Sequence, residues 1–272
     1  PAWIGWSWPW SAWPGFCADA PRARTARPAS TGALSARQLT GLDDSHLVTL
    51  PDGHRLQAEV AQAFAALQAD ARAAGFELAI ASSFRPFSRQ LVIWNEKAMG
   101  LRPVHDDAGA LLSIDALSPP EQLHALLRFS ALPGASRHHW GTDLDVYDTA
   151  VMPPGYQLRL SPEEVAAGGL FDPLHCWLDA CMARGASHGF YRPYASDRGG
   201  VAPERWHLSY AALAEQCAGQ LSVALLEQCW ASEEVAGNIQ LRAQIESRLP
   251  QLMARYVEVP RGWCPAAGDQ RG

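Results

Sequence analysis

Three short segments of the chain carry side chains that bind metals or transfer protons. They are 82–90 (SSFRPFSRQ), 136–145 (SRHHWGTDLD) and 203–207 (PERWH). Taken singly, each has an ordinary explanation, because a histidine and a nearby aspartate are usually surface groups or local hydrogen-bond partners. Together they contain the donors that a hydrolytic zinc site needs, namely imidazole, a carboxylate ligand and a further carboxylate for proton transfer.

The spacing of these donors predicts how a site could be assembled. A hydrolytic zinc takes three protein ligands and keeps a fourth position open for water. His138, Asp145 and His207 could supply the ligands, with a turn at Gly141 bringing the first two onto one metal. Glu204 lies just before His207, close enough to take the proton of the water. The pattern differs from HExxH, in which both histidines lie on one helix.

Hydrophobic periodicity indicates the elements that must position these residues. Apolar residues recur at helical spacing up to a stop at Gly75, and Ser118 and Ser161 each begin a capping box with proline in the first turn. The segment 101–117 is predicted to be a loop. The predicted helices cover 56–71, 86–100, 118–129, a segment beginning at 161 and most of 211–259, and the predicted strands cover 76–80, 144–147 and 206–209. Because helices and strands do not alternate regularly, the predicted class is α+β.

The N-terminal residues differ in composition from the rest of the chain. Five of the 11 tryptophans lie within the first 13 residues, and we interpret 1–32 as an irregular arm packed by its indoles. Ala18-Asp19-Ala20 resembles a signal-peptide cleavage site, but no positive residue precedes the apolar stretch. Residues 33–272 are predicted to form the functional domain, with an inserted segment near 99–135 and a helical C-terminal part.

The overall composition excludes several classes of protein. The 272 residues carry a net charge of -6, so no basic face for nucleic acid is expected. No run of 18 apolar residues is present, so no membrane span is expected. None of the 6 cysteines forms a CxxC pair, which argues against a thiolate zinc site. Buried free thiols are expected, and a single disulfide bridge is the alternative.

The three segments resemble those of a known family. SRHHWGTDLD is similar to the SxHxxGxAxD signature of the peptidase M15 family, the VanY-like zinc D-alanyl-D-alanine carboxypeptidases. PERWH resembles the Glu-x-x-His element of these enzymes, and SSFRPFSRQ resembles their upstream arginine segment. The resemblance implies a fold shared with the Hedgehog signalling domain, in which helices flank a central, mainly antiparallel sheet.

The resemblance also implies a function. The expected reaction is hydrolysis of the terminal peptide bond of peptidoglycan stem peptides, of D-Ala-D-Ala or L,D type, with Zn²⁺ as cofactor. An endopeptidase of the same family and a non-catalytic zinc-containing binding module are the alternatives, and Glu204 argues against the second because a structural zinc needs no free base. The implied roles are zinc ligands for His138, Asp145 and His207, catalytic base for Glu204, and substrate contacts for Arg85, Gln90 and Ser136.

The same resemblance bears on location. A peptidoglycan substrate favours the periplasm or cell envelope, whereas the lack of a clear signal peptide leaves the cytoplasm open. The oligomeric state is left open as well.

Some residues depart from the family pattern or lie beside it. Asp143 stands where the family has a small residue such as alanine, and we expect it to face the other side of the strand from its neighbour or to bind a backbone amide. Next to the metal it would compete as a ligand or raise the pKa of Glu204. His139 is expected to pack or to hydrogen-bond rather than to bind metal. Trp140 and Trp206 fit a substrate cleft or a core equally well.

Overall fold

The structure is a computed structural model that describes residues 33–235 and 239–259, so the arm predicted over 1–32 lies outside the described residues. The described helices are α1 (Ala36–Leu39), α2 (Ala58–Ala73), α3 (Phe87–Ala98), α4 (Pro119–Arg128), α5 (Pro162–Val165), α6 (Asp172–Ala183), α7 (Ala211–Gln220), α8 (Val223–Ala231), α9 (Arg242–Glu246) and α10 (Leu249–Leu252). The described strands are β1 (Leu47–Thr49), β2 (Arg55–Gln57), β3 (Leu78–Ser82), β4 (Val104–His105), β5 (Leu111–Leu112), β6 (Asp143–Asp148), β7 (Phe190–Tyr191) and β8 (His207–Tyr210).

A four-stranded antiparallel sheet lies at the centre of the fold, with the strand order β3-β6-β8-β7. The strands β1 and β2 form one separate hairpin and β4 and β5 form another. The helices and this antiparallel sheet confirm the α+β class expected from the sequence.

The two faces of this sheet differ in polarity because side chains alternate along each strand. On β6, Leu144 and Val146 are buried in an apolar core, whereas Asp143 and Asp145 point to the opposite face. On β8, Leu208 joins the same core, and the strand contributes its polar residues to the other face. One face of the sheet therefore builds the core and the other can build a site.

The apolar face of the sheet packs against α2 and α6. The helical spacing predicted for α2 is confirmed, since Val60, Phe64 and Leu67 are buried along one side of it. Leu174 and Leu178 of α6 belong to the same core. Burial of these side chains fixes the two central strands in register.

A second apolar core lies among helices. It combines residues of α3, α4, α8, α9 and α10, and its largest fully buried side chains are Trp94, Trp140 and Trp230. The indole nitrogens of Trp94 and Trp230 donate to the carbonyls of Gln240 and Pro133 over 2.9 Å. This core packs α3 against the other helices, and α3 carries Gln90.

The predicted capping boxes are both present, at Ser118 before α4 and at Ser161 before α5. Two predictions about the secondary structure need correction. The segment 101–117 contains the hairpin of β4 and β5 and a short 3₁₀ turn, Ile114–Ala116. The stretch 211–259 is divided into several short helices, because Leu221 and Ser232 adopt extended backbone conformations at helix ends.

The described cysteines at 176, 181, 217 and 229 are free thiols, and the last three are buried. This agrees with the expectation of buried thiols at three positions, whereas Cys176 is exposed. Within the described residues, the helices are too short or too polar to cross a bilayer.

Candidate active site

The polar face of the central sheet brings two of the predicted site residues side by side. Asp145 of β6 is the antiparallel partner of His207 of β8. Because these residues are directly paired, their side chains leave the sheet on the same face. His207 Nδ1 lies 3.3 Å from Asp145 Oδ1.

His138 reaches the same point from a 3₁₀ turn, Arg137–Trp140, that leads into β6. Gly141 ends this turn in the left-handed region, at φ 68°, which glycine adopts without strain. A side chain at Gly141 would also collide with Leu47. The turn therefore needs glycine to swing the chain from His138 into the strand that carries Asp145.

The three predicted ligands meet in the structure. His138, Asp145 and His207 are all buried, and each offers one ligand atom that lies within 4.8 Å of the others. His138 Nε2 is 3.5 Å from Asp145 Oδ2, and the two imidazole rings are 4.8 Å apart. Two imidazoles and one carboxylate at this separation form a donor set that suits zinc.

Hydrogen bonds behind the rings decide which nitrogens are available. His138 Nδ1 donates to the carbonyl of Ser83 over 3.0 Å, which leaves the lone pair of Nε2 for a ligand. His207 Nε2 donates to Asp143 over 3.0 Å, which leaves the lone pair of Nδ1. Both free nitrogens are those that face Asp145, so the donor set fits a metal ion.

The charge states of His138 and Asp145 suit a metal, whereas His207 must first lose a proton. Burial lowers the pKa of His138 to about 4, so its imidazole is neutral. Burial acts to raise the pKa of Asp145, but His138, His207 and Arg85 together hold it below its usual value. Burial lowers the pKa of His207, yet its hydrogen bonds with Asp143, Asp145 and Glu204 raise it well above 6.5. Metal binding would displace this proton.

Glu204 stands beside the three ligands without joining their cluster. Its Oε2 is 3.4 Å from His207 Nδ1, and its side chain is 19% exposed, so the carboxylate can reach both the site and solvent. The backbone N–H of Glu204 donates to the carbonyl of Tyr194 over 2.9 Å. This position is the one that a general base for a water at the site requires.

A network of ion pairs anchors the loop that carries Glu204. Arg205, the next residue, binds Asp172 and Asp179 of α6, with Nη1 of the guanidinium 2.6 Å from Asp172 Oδ1. Arg192 binds Asp179 and also donates to the carbonyl of Arg205 over 2.7 Å. The loop is therefore fixed to α6.

Arg85 lies near the cluster, just after β3. Its backbone N–H donates to the carbonyl of His138 over 3.0 Å, and its Nη1 donates to Gln90 Oε1 over 2.9 Å. Burial lowers the pKa of Arg85, and the negative charges of Asp145 and Glu204 oppose that shift. The guanidinium is therefore a cation within the field of the site carboxylates.

Gln90 and Ser136 are both buried. Gln90 Nε2 donates to the carbonyl of Ala131 over 2.7 Å, so both ends of its amide are engaged within the protein. Ser136 begins the turn that carries His138, and its hydroxyl does not cap that turn. The predicted contacts of these two residues with a substrate stay predictions.

His139 does not join the metal cluster, as the sequence predicts. Its Nδ1 donates to the carbonyl of Arg85 over 2.6 Å, and its Nε2 accepts from the backbone N–H of Gly134 over 3.2 Å. Burial lowers the pKa of His139 to about 3, so the ring is neutral and can donate at one nitrogen while accepting at the other. His139 therefore holds the backbone beside the site.

Asp143 faces the other side of β6 from its neighbour Leu144, which is the first of the two positions expected for it. It lies on the same face of β6 as Asp145, and side chains rather than a backbone amide bind its carboxylate. The reason is that residues two apart on a strand share a face, so Asp143 reaches the ring of His207 from the far side. It does not compete for the metal, because the cluster of ligand atoms does not include it.

The two tryptophans beside the predicted ligands belong to apolar cores. Trp140 is fully buried in the helical core, with the guanidinium of Arg137 4.9 Å from its ring. Trp206 packs with Val165 and Phe171. Packing therefore accounts for both residues.

Two residues near the site were not found from the sequence. The ring of Tyr194 lies 5.1 Å from that of His207, and burial raises the pKa of its phenol to about 12. Burial lowers the pKa of Lys97 to about 8, with Glu204 acting in the opposite direction, and its ammonium donates to Ser130 Oγ over 2.7 Å. Neither residue belongs to a spaced motif, so no sequence signal marked them.

The comparison with protein families agrees with this geometry. A family model described as VanY, D-alanyl-D-alanine carboxypeptidase, matches residues 53–213. The chain belongs to the VanY family. The matched range contains every predicted site residue, from Arg85 to His207.

Individual relatives of this VanY-family chain were also found. An uncharacterized protein of Haemophilus influenzae is 48% identical over 103 residues, which cover 36% of this chain and 70% of the relative. A second uncharacterized protein of the same organism is 35% identical over 129 residues, which cover 46% of this chain and 92% of that relative. Among solved structures, VanYB in complex with D-alanine-D-alanine is 21% identical, with a TM-score of 0.44 and coverage of 69% of this chain and 89% of that one.

Proposed function

We propose that this VanY-family chain is a zinc-dependent carboxypeptidase that removes the terminal residue from peptidoglycan stem peptides. The observation that carries the proposal is the meeting of His138, Asp145 and His207 around one point, with Glu204 3.4 Å from His207 Nδ1. The family match supports a D-alanyl-D-alanine terminus as the substrate class. That substrate class also favours the periplasm or cell envelope as the place of action.

The three clustered residues would hold the metal through His138 Nε2, His207 Nδ1 and a carboxylate oxygen of Asp145. Zinc in such a site supplies a Lewis acid that polarises a carbonyl and lowers the pKa of water toward about 7. Glu204 would accept a proton from the attacking water and return it to the departing amine. The carboxylate is then unprotonated again and can accept a proton from the next attacking water.

Arg85 would bind the negative charge of the substrate. A guanidinium presents a planar fork that matches a terminal carboxylate or a developing oxyanion. Gln90 would act through Arg85, because its carbonyl oxygen accepts from Arg85 Nη1 and its amide group is anchored on Ala131. The fork is thereby fixed before substrate arrives, which reduces the entropy lost on binding.

The test is mass spectrometry of defined muropeptides after incubation with the zinc-loaded protein. We expect a pentapeptide stem to lose one alanine and a tetrapeptide stem to show whether an L,D bond is also cut. Glu204→Gln, loaded with zinc to the same extent, is the matched control and should cleave the peptides about a hundredfold or more slowly. Internal cleavage of the stem or cross-bridge without loss of the terminal residue would overturn the proposal in favour of an endopeptidase.

A further inference from the structure

A buried ion pair lies behind His207, on the side away from the predicted metal. Arg137 Nε donates to Asp143 Oδ1 over 2.7 Å, and the side chains are 3% and 0% exposed. The same Oδ1 accepts from His207 Nε2 over 3.0 Å. The three side chains form a chain of charge-assisted hydrogen bonds that ends on the imidazole ring.

Three further hydrogen bonds hold the side chains of Arg137 and Asp143 in place. Arg137 Nη2 donates to the hydroxyls of Ser209 and Tyr191 over 2.7 and 3.0 Å. Thr142 Oγ1 donates to Asp143 Oδ2 over 2.5 Å. The carboxylate is thus held at both oxygens.

A buried ion pair is poor evidence for stability, because the cost of removing two charges from water offsets much of their attraction. Replacement of such a pair by apolar side chains of similar size is often neutral or stabilising. The position of Asp143 against a metal-facing histidine therefore points to a role at the site.

We propose that Asp143, held by Arg137, is a positioning residue that fixes the tautomer and orientation of His207 for the metal. The inference rests on the proposed function. Because a carboxylate only accepts hydrogen bonds, Asp143 keeps the proton on Nε2 and leaves the lone pair on Nδ1. Nδ1 lies 3.3 Å from Asp145 Oδ1 and 3.4 Å from Glu204 Oε2. It is therefore the ring nitrogen that faces the predicted metal.

The two metal-facing histidines are supported in different ways. His138 donates to the neutral carbonyl of Ser83, whereas His207 donates to a negative carboxylate. A carboxylate partner makes the opposite ring nitrogen a stronger ligand. The SxHxxGxAxD signature has a small residue at the position of Asp143, so the signature alone does not predict this support of His207.

The experiment compares zinc affinity, by competition with a chelator, in the wild type and the double variant Arg137→Met/Asp143→Ala. Removing both partners avoids an unpaired buried charge. We expect zinc to bind about 10- to 100-fold more weakly, since loss of a partner behind a metal-binding histidine has an effect of that size. Imidazole ¹H–¹⁵N spectra of the zinc-loaded proteins should show the Nε2–H form of His207 in the wild type and lose its hydrogen-bonded shift in the variant.

Ser209→Ala is the matched control, because it removes one hydrogen bond of Arg137 and leaves the pair of Asp143 and His207 intact. Ser209→Ala should bind zinc with the affinity of the wild type. The melting temperatures of the metal-free proteins should not rank the variants in the same order as their zinc affinities. If the double variant does not fold, Arg137→Met/Asp143→Asn replaces it, because it also removes both charges but keeps the size of the side chain at position 143.

The outcomes separate this inference from the proposed function. Unchanged zinc affinity and an unchanged His207 spectrum in the double variant would overturn the positioning role while the carboxypeptidase proposal stood. An equal loss of affinity in Ser209→Ala would also overturn it, since the effect would then come from the packing of Arg137. Failure of the wild type to bind zinc would overturn both.

Discussion

His139 donates a hydrogen bond from Nδ1 to the backbone carbonyl of Arg85 over 2.6 Å. Its Nε2 accepts from the N–H of Gly134, and its ring stacks on Phe87. The adjacent residues His138 and His139 therefore have different roles. His138 faces the site, whereas His139 fixes the backbone segment that presents the guanidinium of Arg85 to it.

We expect His139→Ala to lower the free energy of unfolding by about 2–4 kcal/mol, because it leaves a cavity and unpaired buried polar groups. Denaturant unfolding measures this loss. The zinc stoichiometry of the folded variant should not change, since His139 lies outside the ligand cluster. His188→Ala is the control, because His188 bonds Asp70 at the surface. Loss of bound zinc from folded His139→Ala would contradict this assignment.

The metal cluster gives a second prediction. His207→Ala should lose most of its zinc affinity, because only His138 and Asp145 remain as protein ligands. Elemental analysis after dialysis against a weak chelator measures the zinc retained. His175→Ala, which removes a buried histidine on α6 away from the cluster, is the control and should retain zinc. Unchanged zinc stoichiometry and affinity in His207→Ala would exclude His207 as a ligand.

The predicted ligands could be found from the sequence because their types and order carry the chemistry. A His-x₆-Asp segment and a Glu-x-x-His segment are recognisable without a structure, and β6 and β8 place them as direct partners. Asp143 could not be placed in this way. Its bond to Arg137 depends on a 3₁₀ turn that brings residue 137 back against the strand, and the link to Ser209 depends on the pairing of β6 with β8.

The fold was predicted best where periodicity and capping signals agree. The capping boxes of α4 and α5 and the apolar stripe of α2 meet that condition. α6 was missed, although Pro173 in its first turn and buried Leu174, Leu178 and Cys181 are typical helix signals. The hairpins β1–β2 and β4–β5 have strands of two or three residues, too short for a period of two to stand out.

Glu204 allows catalysis to be separated from metal binding. Glu204→Gln should keep bound zinc but lose activity by about a hundredfold or more, which is the usual size of a general-base effect. Single-turnover rates of zinc-replete samples measure this loss. Glu163→Gln, at an exposed position of α5, should leave the rate unchanged. A rate near that of the wild type in zinc-replete Glu204→Gln would remove Glu204 from the mechanism.

The buried ring of His175 is expected to make the free energy of unfolding sensitive to acid. Burial lowers its pKa to about 3, with Arg192 and Arg205 acting in the same direction. Its Nδ1 accepts from Arg192 over 3.2 Å, so the native state holds the neutral ring. The neutral ring makes its full contribution to the free energy of unfolding above pH 6.5, the ordinary pKa of histidine. This contribution is lost as the pH falls from there toward about 3.

Urea unfolding at several pH values tests this expectation against His175→Gln, whose amide oxygen can still accept from Arg192. The wild type should lose stability more steeply with falling pH, by at most about 1.4 kcal/mol per pH unit. The other buried histidines are common to both proteins, so the difference isolates His175. Parallel curves would mean that His175 does not stay neutral in the native state.

The last prediction concerns Arg85 and distinguishes the removal of a terminal residue from internal cleavage. An enzyme that recognises a chain end must bind its negative charge, and Arg85 is held by Gln90 in a position to do so. Arg85→Lys should lower kcat/KM by about tenfold to a hundredfold, because an ammonium cannot make the planar two-point contact. Arg89→Lys, at an exposed position of α3, is the control. The wild type should cleave a C-terminally amidated peptide far more slowly than the free acid, whereas Arg85→Lys should discriminate less. Equal turnover of both peptides by the wild type would exclude recognition of the terminal carboxylate and favour an endopeptidase.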